Sequence, residues 1–144
     1  MDKFTVTFEK KTYIDSDGNT MRDFFPVFED EFQVTLPENL RNGNVEKQKK
    51  YCNRIYWDYY NTHDDFKNKI LAKVKQEADD FRKDNPHLDY EYDEKVFDNA
   101  KNNNQVPPGR VWHHHETPGL MQLVREPIHR RIHHIGGYEL WCKS

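Results

Sequence analysis

Residues 4–9 (FTVTFE) alternate apolar and polar positions, and the run TMRDFF, which follows DSDGN, returns with a comparable pattern. A period of two marks strands with one covered face, and an Asp-Gly pair supplies the positive φ of a tight turn, so an N-terminal β-hairpin is expected. DSDGN also opens like a calcium loop, but Pro26 stands at the twelfth loop position, where a bidentate Glu is needed. The segment FPVFEDEFQVTLPENL follows, bounded by Pro26 and Pro37. It reads as an extended apolar stretch packed across helices.

The spacing then changes to that of helices. From Val45 to Tyr60 one face collects Tyr51, Cys52, Ile55, Tyr56 and Tyr59, with Asn44 as N-cap and the Lys-rich VEKQKK as an exposed face. A second helix, capped by Thr62, carries the stripe Phe66, Ile70, Leu71, Val74, Ala78 and Phe81, and Pro86 ends it. Both aromatic stripes are core positions. YDEKVFDNAKNNN predicts a short third helix, and QVPPG a loop. Beyond it RVWHHH reads as a strand, ETPG as a turn and LMQLV as a second strand. EPIHRRIHH reads as a short helix that opens at Pro127 and stops at Gly136-Gly137. The expected class is α+β in a single domain 1–144: an N-terminal β-hairpin with a helical scaffold over 1–105, leading into a ββα unit over 106–144.

Composition narrows the function classes. With 144 residues the chain can support one core, and nine Phe and eight Tyr supply much of its buried area. Two cysteines, Cys52 and Cys142, make neither a disulfide framework nor a zinc-finger pair, so both are expected as free thiols, Cys52 half-buried on its helix. No apolar run approaches the ~18 residues of a membrane span, and MDKFTVTFEKK lacks the apolar centre of a signal peptide. Any secretion address is therefore expected on an upstream region or along a route that reads no cleaved signal. The formal net charge of −3 conceals a gradient: the segment from Arg110 onward carries +2 and the preceding 109 residues −5. Local charge matters more than the sum for an anionic partner.

Six of the eight histidines lie between Trp112 and Gly137. On a ββα unit the end of the first strand faces the first turns of the helix, so His113 or its neighbour approaches His129 and the 133–134 pair. His129 and His133 share a helical face, and His134 falls where a Gly-Gly turn can swing it inward. Three converging neutral imidazoles hold a divalent cation with coordination positions left open, as catalytic metals require. Adjacent strand residues point to opposite sides, so one member of the 113–114 pair can bind metal while the other takes a proton from water. A closed structural zinc site would recruit Cys, and a tag-like surface would lack the apolar LMQLV strand.

PPGRVWHHHETPGLMQLVREPIHRRIHHIGG resembles the motif of HNH nucleases of the WHH subgroup, in the HNH/ββα-metal (His-Me finger) superfamily. Those domains occur as C-terminal effectors of polymorphic bacterial toxins. FPVFEDEFQVTLPENL and KYCN are similar to the region that precedes the nuclease unit there. The resemblance implies that His113, His129 and His134 are metal ligands, with His133 as the alternative register. It implies that His114 is the general base, that Trp112 packs the strand, and that Gln122 occupies the position of the superfamily's middle Asn, which holds the backbone around the base. A third consecutive histidine, His115, departs from the pattern. Charge and proximity make Arg125, Arg130 and Arg131 candidate phosphate contacts, with a solvated helix face as the alternative.

The function so implied is a metal-dependent endonuclease acting on DNA with little sequence preference, using one divalent ion (zinc, nickel, magnesium or manganese). The resemblance adds a toxic effector, secreted or delivered into the target-cell cytoplasm, and a cognate immunity protein as partner. The competing classes are a metal-folded binding module without catalysis and an RNase using the same site.

Overall fold

The computed structural model describes residues 7–14, 17–27, 30–84, 86, 94–125 and 141. Its elements are β1 (Thr7–Ile14), β2 (Thr20–Val27), β3 (Phe32–Thr35), a 3-10 turn (Glu38–Leu40), α1 (Val45–Thr62), α2 (Asp64–Asp84), α3 (Glu94–Asn102), β4 (Arg110–His114) and β5 (Leu120–Arg125). The class is α+β, as the sequence predicts. Among the described residues no helix is long and apolar enough to cross a membrane. The chain divides into two compact units, one built on Asn53–Pro108 and one on Lys3–Cys52 with Gly109–Ser144.

The first unit is helical and its core is aromatic. Tyr56, Trp57, Tyr60, Ile70, Val74, Ala78, Phe97 and Ala100 are buried. Their 3–4-residue spacing gives α2 the stripe expected from the sequence, whereas the covered face of α1 is turned from the expected one: Trp57 and Tyr60 are buried and Tyr59 is exposed. Trp57 meets Phe97 edge-on at 6.0 Å, and Tyr56 meets Phe66 edge-on at 5.7 Å, the arrangement that ring quadrupoles favour. α3 ends in a Schellman motif: Gln105 N–H reaches the Ala100 carbonyl at 2.9 Å and Asn104 N–H that of Lys101 at 3.2 Å. Asn104 takes the left-handed φ of 49° that this motif needs. The Trp57 indole N–H donates to the Gln105 carbonyl at 2.8 Å, and the Asn53 amide donates to that of Asn104 at 3.0 Å. These bonds tie the loop after α3 to α1. Thr62 is the last residue of α1, not the cap of α2: its hydroxyl donates back to the Asp58 carbonyl at 2.8 Å, and only His63 separates the helices.

The second unit holds the sheets. β1 and β2 form an antiparallel hairpin from Thr7↔Val27 to Ile14↔Thr20; β1 lies nearer the turn than the expected 4–9, and β2 starts at the expected Thr20 and runs on to Val27. Gly18, at φ 83°, sits in the turn between the strands. The other sheet has the order β3-β5-β4, all antiparallel. The stretch expected to lie across helices thus supplies a strand: Phe32–Thr35 pairs with Leu120–Leu123, where its backbone groups find ladder partners. Asn44 caps α1 as expected, its side-chain oxygen accepting from Lys47 N–H at 3.0 Å. Two further burial expectations are corrected. Cys52 is fully rather than half buried, and Gln48, inside the supposedly exposed VEKQKK, is 0% exposed. Gln48 lies four residues before Cys52, hence on the covered face.

Candidate functional site

β4 and β5 are joined by the turn His115–Gly119, and their register sorts the side chains. Trp112 pairs with Leu123 and His114 with Met121, while His113 pairs with Gln122. Cross-strand partners share a face and neighbours alternate, so Trp112 and His114 stand on one side of the sheet and His113 and Gln122 on the other. Trp112, Leu123, Met121 and Val34 are buried, which makes the His114 side the apolar one. Pro118 and Gly119 form the corner: Leu120 N–H reaches the Thr117 carbonyl at 3.1 Å and Gly119 has φ 81°, the type II arrangement that requires glycine there.

His113 is 3% exposed and Gln122 7%. The Gln122 side-chain amide donates to Asp30 Oδ2 at 2.8 Å, and that of Gln33 to the same oxygen at 2.6 Å. Gln33 is the β3 partner of Gln122, so Asp30 clamps the amides of two neighbouring strands beside His113. His114 is half-buried. Its Nε2 lies 2.9 Å from Gln48 Oε1, and its ring centroid lies 5.4 Å from that of Trp141. His115 belongs to the turn, with Nδ1 accepting from Thr117 N–H at 2.9 Å and Nε2 3.3 Å from Glu116 Oε1. Burial pushes its pKa below the ordinary imidazole value, with the Glu116 carboxylate opposing. The His115 carbonyl accepts the Trp141 indole N–H at 2.6 Å. Glu116 also pairs with Lys11, and that hydrogen bond is the main cause raising the lysine above its usual pKa.

At the other end of the sheet, Arg110 and Glu31 form a buried two-bond ion pair. Glu31 N–H also donates to the Leu123 carbonyl at 2.9 Å, next to β3. Arg125 ends β5 half-buried and opposite Arg110. A solvent-open cleft of about 500 Å³ adjoins the turn, walled by Tyr13, Ile14, Pro118 and Trp141, the same Trp141 whose ring neighbours His114.

His113, His114, Gln122 and Arg125 are therefore placed on two paired strands. His129, His133, His134, Arg130 and Arg131, together with the helix expected from Pro127 and the thiol Cys142, lie outside the described residues. Among the described residues no three His, Cys, Asp or Glu side chains gather to hold an ion. The described arm offers one donor of the expected set, a buried imidazole beside a neutral amide, and imidazole donors suit a divalent transition metal. Gln48, Asp30, Gln33 and Glu31 are the residues that sequence reasoning missed. For Gln48 a signal existed, a polar residue at helical spacing on an apolar face.

No curated protein and no solved structure matches the chain. Residues 102–144 match the WHH family model, described as a nuclease of the HNH/ENDO VII superfamily with conserved WHH, and Trp112-His113-His114 supplies that tripeptide. Over residues 102–144, then, the match supports an HNH-type nuclease domain.

Proposed function

We propose that this nuclease domain is a metal-dependent DNase, with His113, His129 and His134 (or His133 in the alternative register) as ligands and His114 as general base. The observation that carries the reading is the placement of two histidines on β4: within the matched segment, adjacent imidazoles occupy opposite faces, each with a different environment. A bound divalent cation supplies charge stabilisation for the scissile phosphate and the leaving oxygen. His114 takes the proton from the attacking water, a task suited to a group whose ordinary pKa lies near 6.5. Gln122, anchored on Asp30, steadies β5 beside His113. Arg125 and Arg130 contact flanking phosphates, which read no base edges and so leave sequence preference low.

The wider role we propose is that of a toxic effector domain delivered into a target cell and neutralised by a cognate immunity protein, supported by the resemblance of FPVFEDEFQVTLPENL and KYCN to the corresponding toxin region. Plasmid cleavage after chelation, with magnesium, manganese, nickel or zinc restored separately, tests the enzymatic core. Ion-dependent nicking that His114→Ala abolishes is the expected result. Cleavage of RNA alone reassigns the substrate, and no cleavage of either polymer with any ion overturns the reading. Tight inhibition by the product of a neighbouring gene supports the toxin role, and full toxicity in its presence counts against it.

A further inference from the structure

Gln48 stands at the start of α1, 66 residues before His114 in sequence, and is fully buried. Both ends of its amide are engaged. Nε2 donates to the Leu40 carbonyl at 2.8 Å, and Oε1 faces His114 Nε2 at 2.9 Å. Leu40 decides which way the amide points: a carbonyl can only accept, so a flipped amide would set two oxygens against each other. The anchor is itself held, since Leu40 closes the 3-10 turn through its own N–H to the Pro37 carbonyl at 2.9 Å. Gln48 N–H reaches the Asn44 carbonyl at 3.1 Å in the capped first turn of α1.

With Oε1 turned to the imidazole, His114 Nε2 must carry the hydrogen, and in the neutral ring the basic lone pair then belongs to Nδ1. We infer that Gln48 is a positioning residue that holds His114 as its Nε2–H tautomer, so that Nδ1 is the atom that receives the proton from water. The inference rests on the reading of His114 as general base. The same acceptor serves the imidazolium formed after proton transfer, because Nε2 keeps its hydrogen throughout and only Nδ1 gains and loses one. An amide does this without a second charge beside the ring. Trp141, tilted at 52° to the imidazole, adds a neighbour for the ring.

The tautomer is read directly from long-range proton–nitrogen NMR spectra of the ¹⁵N-labelled protein under conditions where the ring is neutral, with the His114 signal assigned by its loss in His114→Ala. A pyrrole-type Nε2 and a pyridine-type Nδ1 are expected. Gln48→Met should redistribute the ring toward the Nδ1–H form and lower kcat roughly tenfold or more, with KM little changed. Gln48→Glu keeps an acceptor for Nε2–H but sets its second oxygen against the Leu40 carbonyl, so it should preserve the Nε2–H tautomer at a cost in stability. A wild-type ring with hydrogen on Nδ1 overturns the inference, as does a folded Gln48→Met protein with unchanged tautomer and kcat. If Gln48→Met does not fold, the wild-type spectrum alone decides. If His114→Ala cleaves normally, the general-base reading fails while the spectrum still reports whether Gln48 sets the tautomer.

Discussion

Arg110 and Glu31 form a bidentate ion pair, Nε to Oε1 at 2.5 Å and an Nη to Oε2 at 3.1 Å, with side chains only 1% and 6% exposed. Arg110 opens β4 and Glu31 leads into β3, so the pair joins the two outer strands of the sheet across β5. Arg110 also has Arg125 as its cross-strand partner, which makes the carboxylate more necessary. Glu31→Gln should destabilise the protein by about 3 kcal/mol, because it removes the carboxylate charge from beside a buried guanidinium. The double replacement of Arg110 and Glu31 by Met and Leu should cost less than Glu31→Gln. Denaturant unfolding compares them, and equal losses would mean that the cost is packing rather than charge.

The two histidines of β4 should separate metal binding from catalysis. His113→Ala is expected to weaken divalent-ion affinity by about tenfold or more, since a ligand is lost. His114→Ala should retain affinity and lose about 10²-fold or more in cleavage rate. Titration calorimetry alongside plasmid nicking makes the comparison, and parallel losses of affinity in both variants would contradict the assignment.

Gly119→Ala tests the corner between β4 and β5. At φ 81° a Cβ would collide with Arg41 Nε, which donates to the Leu36 carbonyl at 3.1 Å. The positive φ alone should cost about 1–2 kcal/mol, with displacement of Arg41 in addition. A lowered Tm is expected, and an unchanged Tm would show that the turn can adopt another form.

Burial pushes the Cys52 thiol up to about 12, and its side chain has no exposure. Thiolate is the nucleophile, so native protein should resist alkylation at pH 8 and react on unfolding. A Cys142→Ser background isolates the signal for mass spectrometry. Rapid native labelling would require frequent opening of the region around α1.

Lys11, raised above 10.5 chiefly by its bond to Glu116, stabilises the fold through its charged form. The contribution is fully present below the unfolded-state pKa and disappears as pH rises through the higher folded-state value. The stability gap between wild type and Lys11→Met should therefore stay level through neutral pH and close only above about pH 10.5. A gap that closes near neutrality would assign it to another group.

By itself, the sequence determined the local elements and the chemical inventory. Alternation marked the hairpin, short runs either side of the ETPG turn marked the β4–β5 pair, helical spacing placed Tyr56, Ile70, Val74 and Ala78 inside, and Trp112-His113-His114 pointed to the nuclease segment. These are properties of short windows, where backbone periodicity dictates which side chains share a face. Tertiary structure alone decided which distant groups meet those side chains: Phe32–Thr35 completing the sheet beside β5, Asp30 receiving Gln122 from 92 residues away, and Gln48 receiving His114. A buried polar side chain must find a partner, but no local pattern says which one, because the choice is made when remote elements pack together.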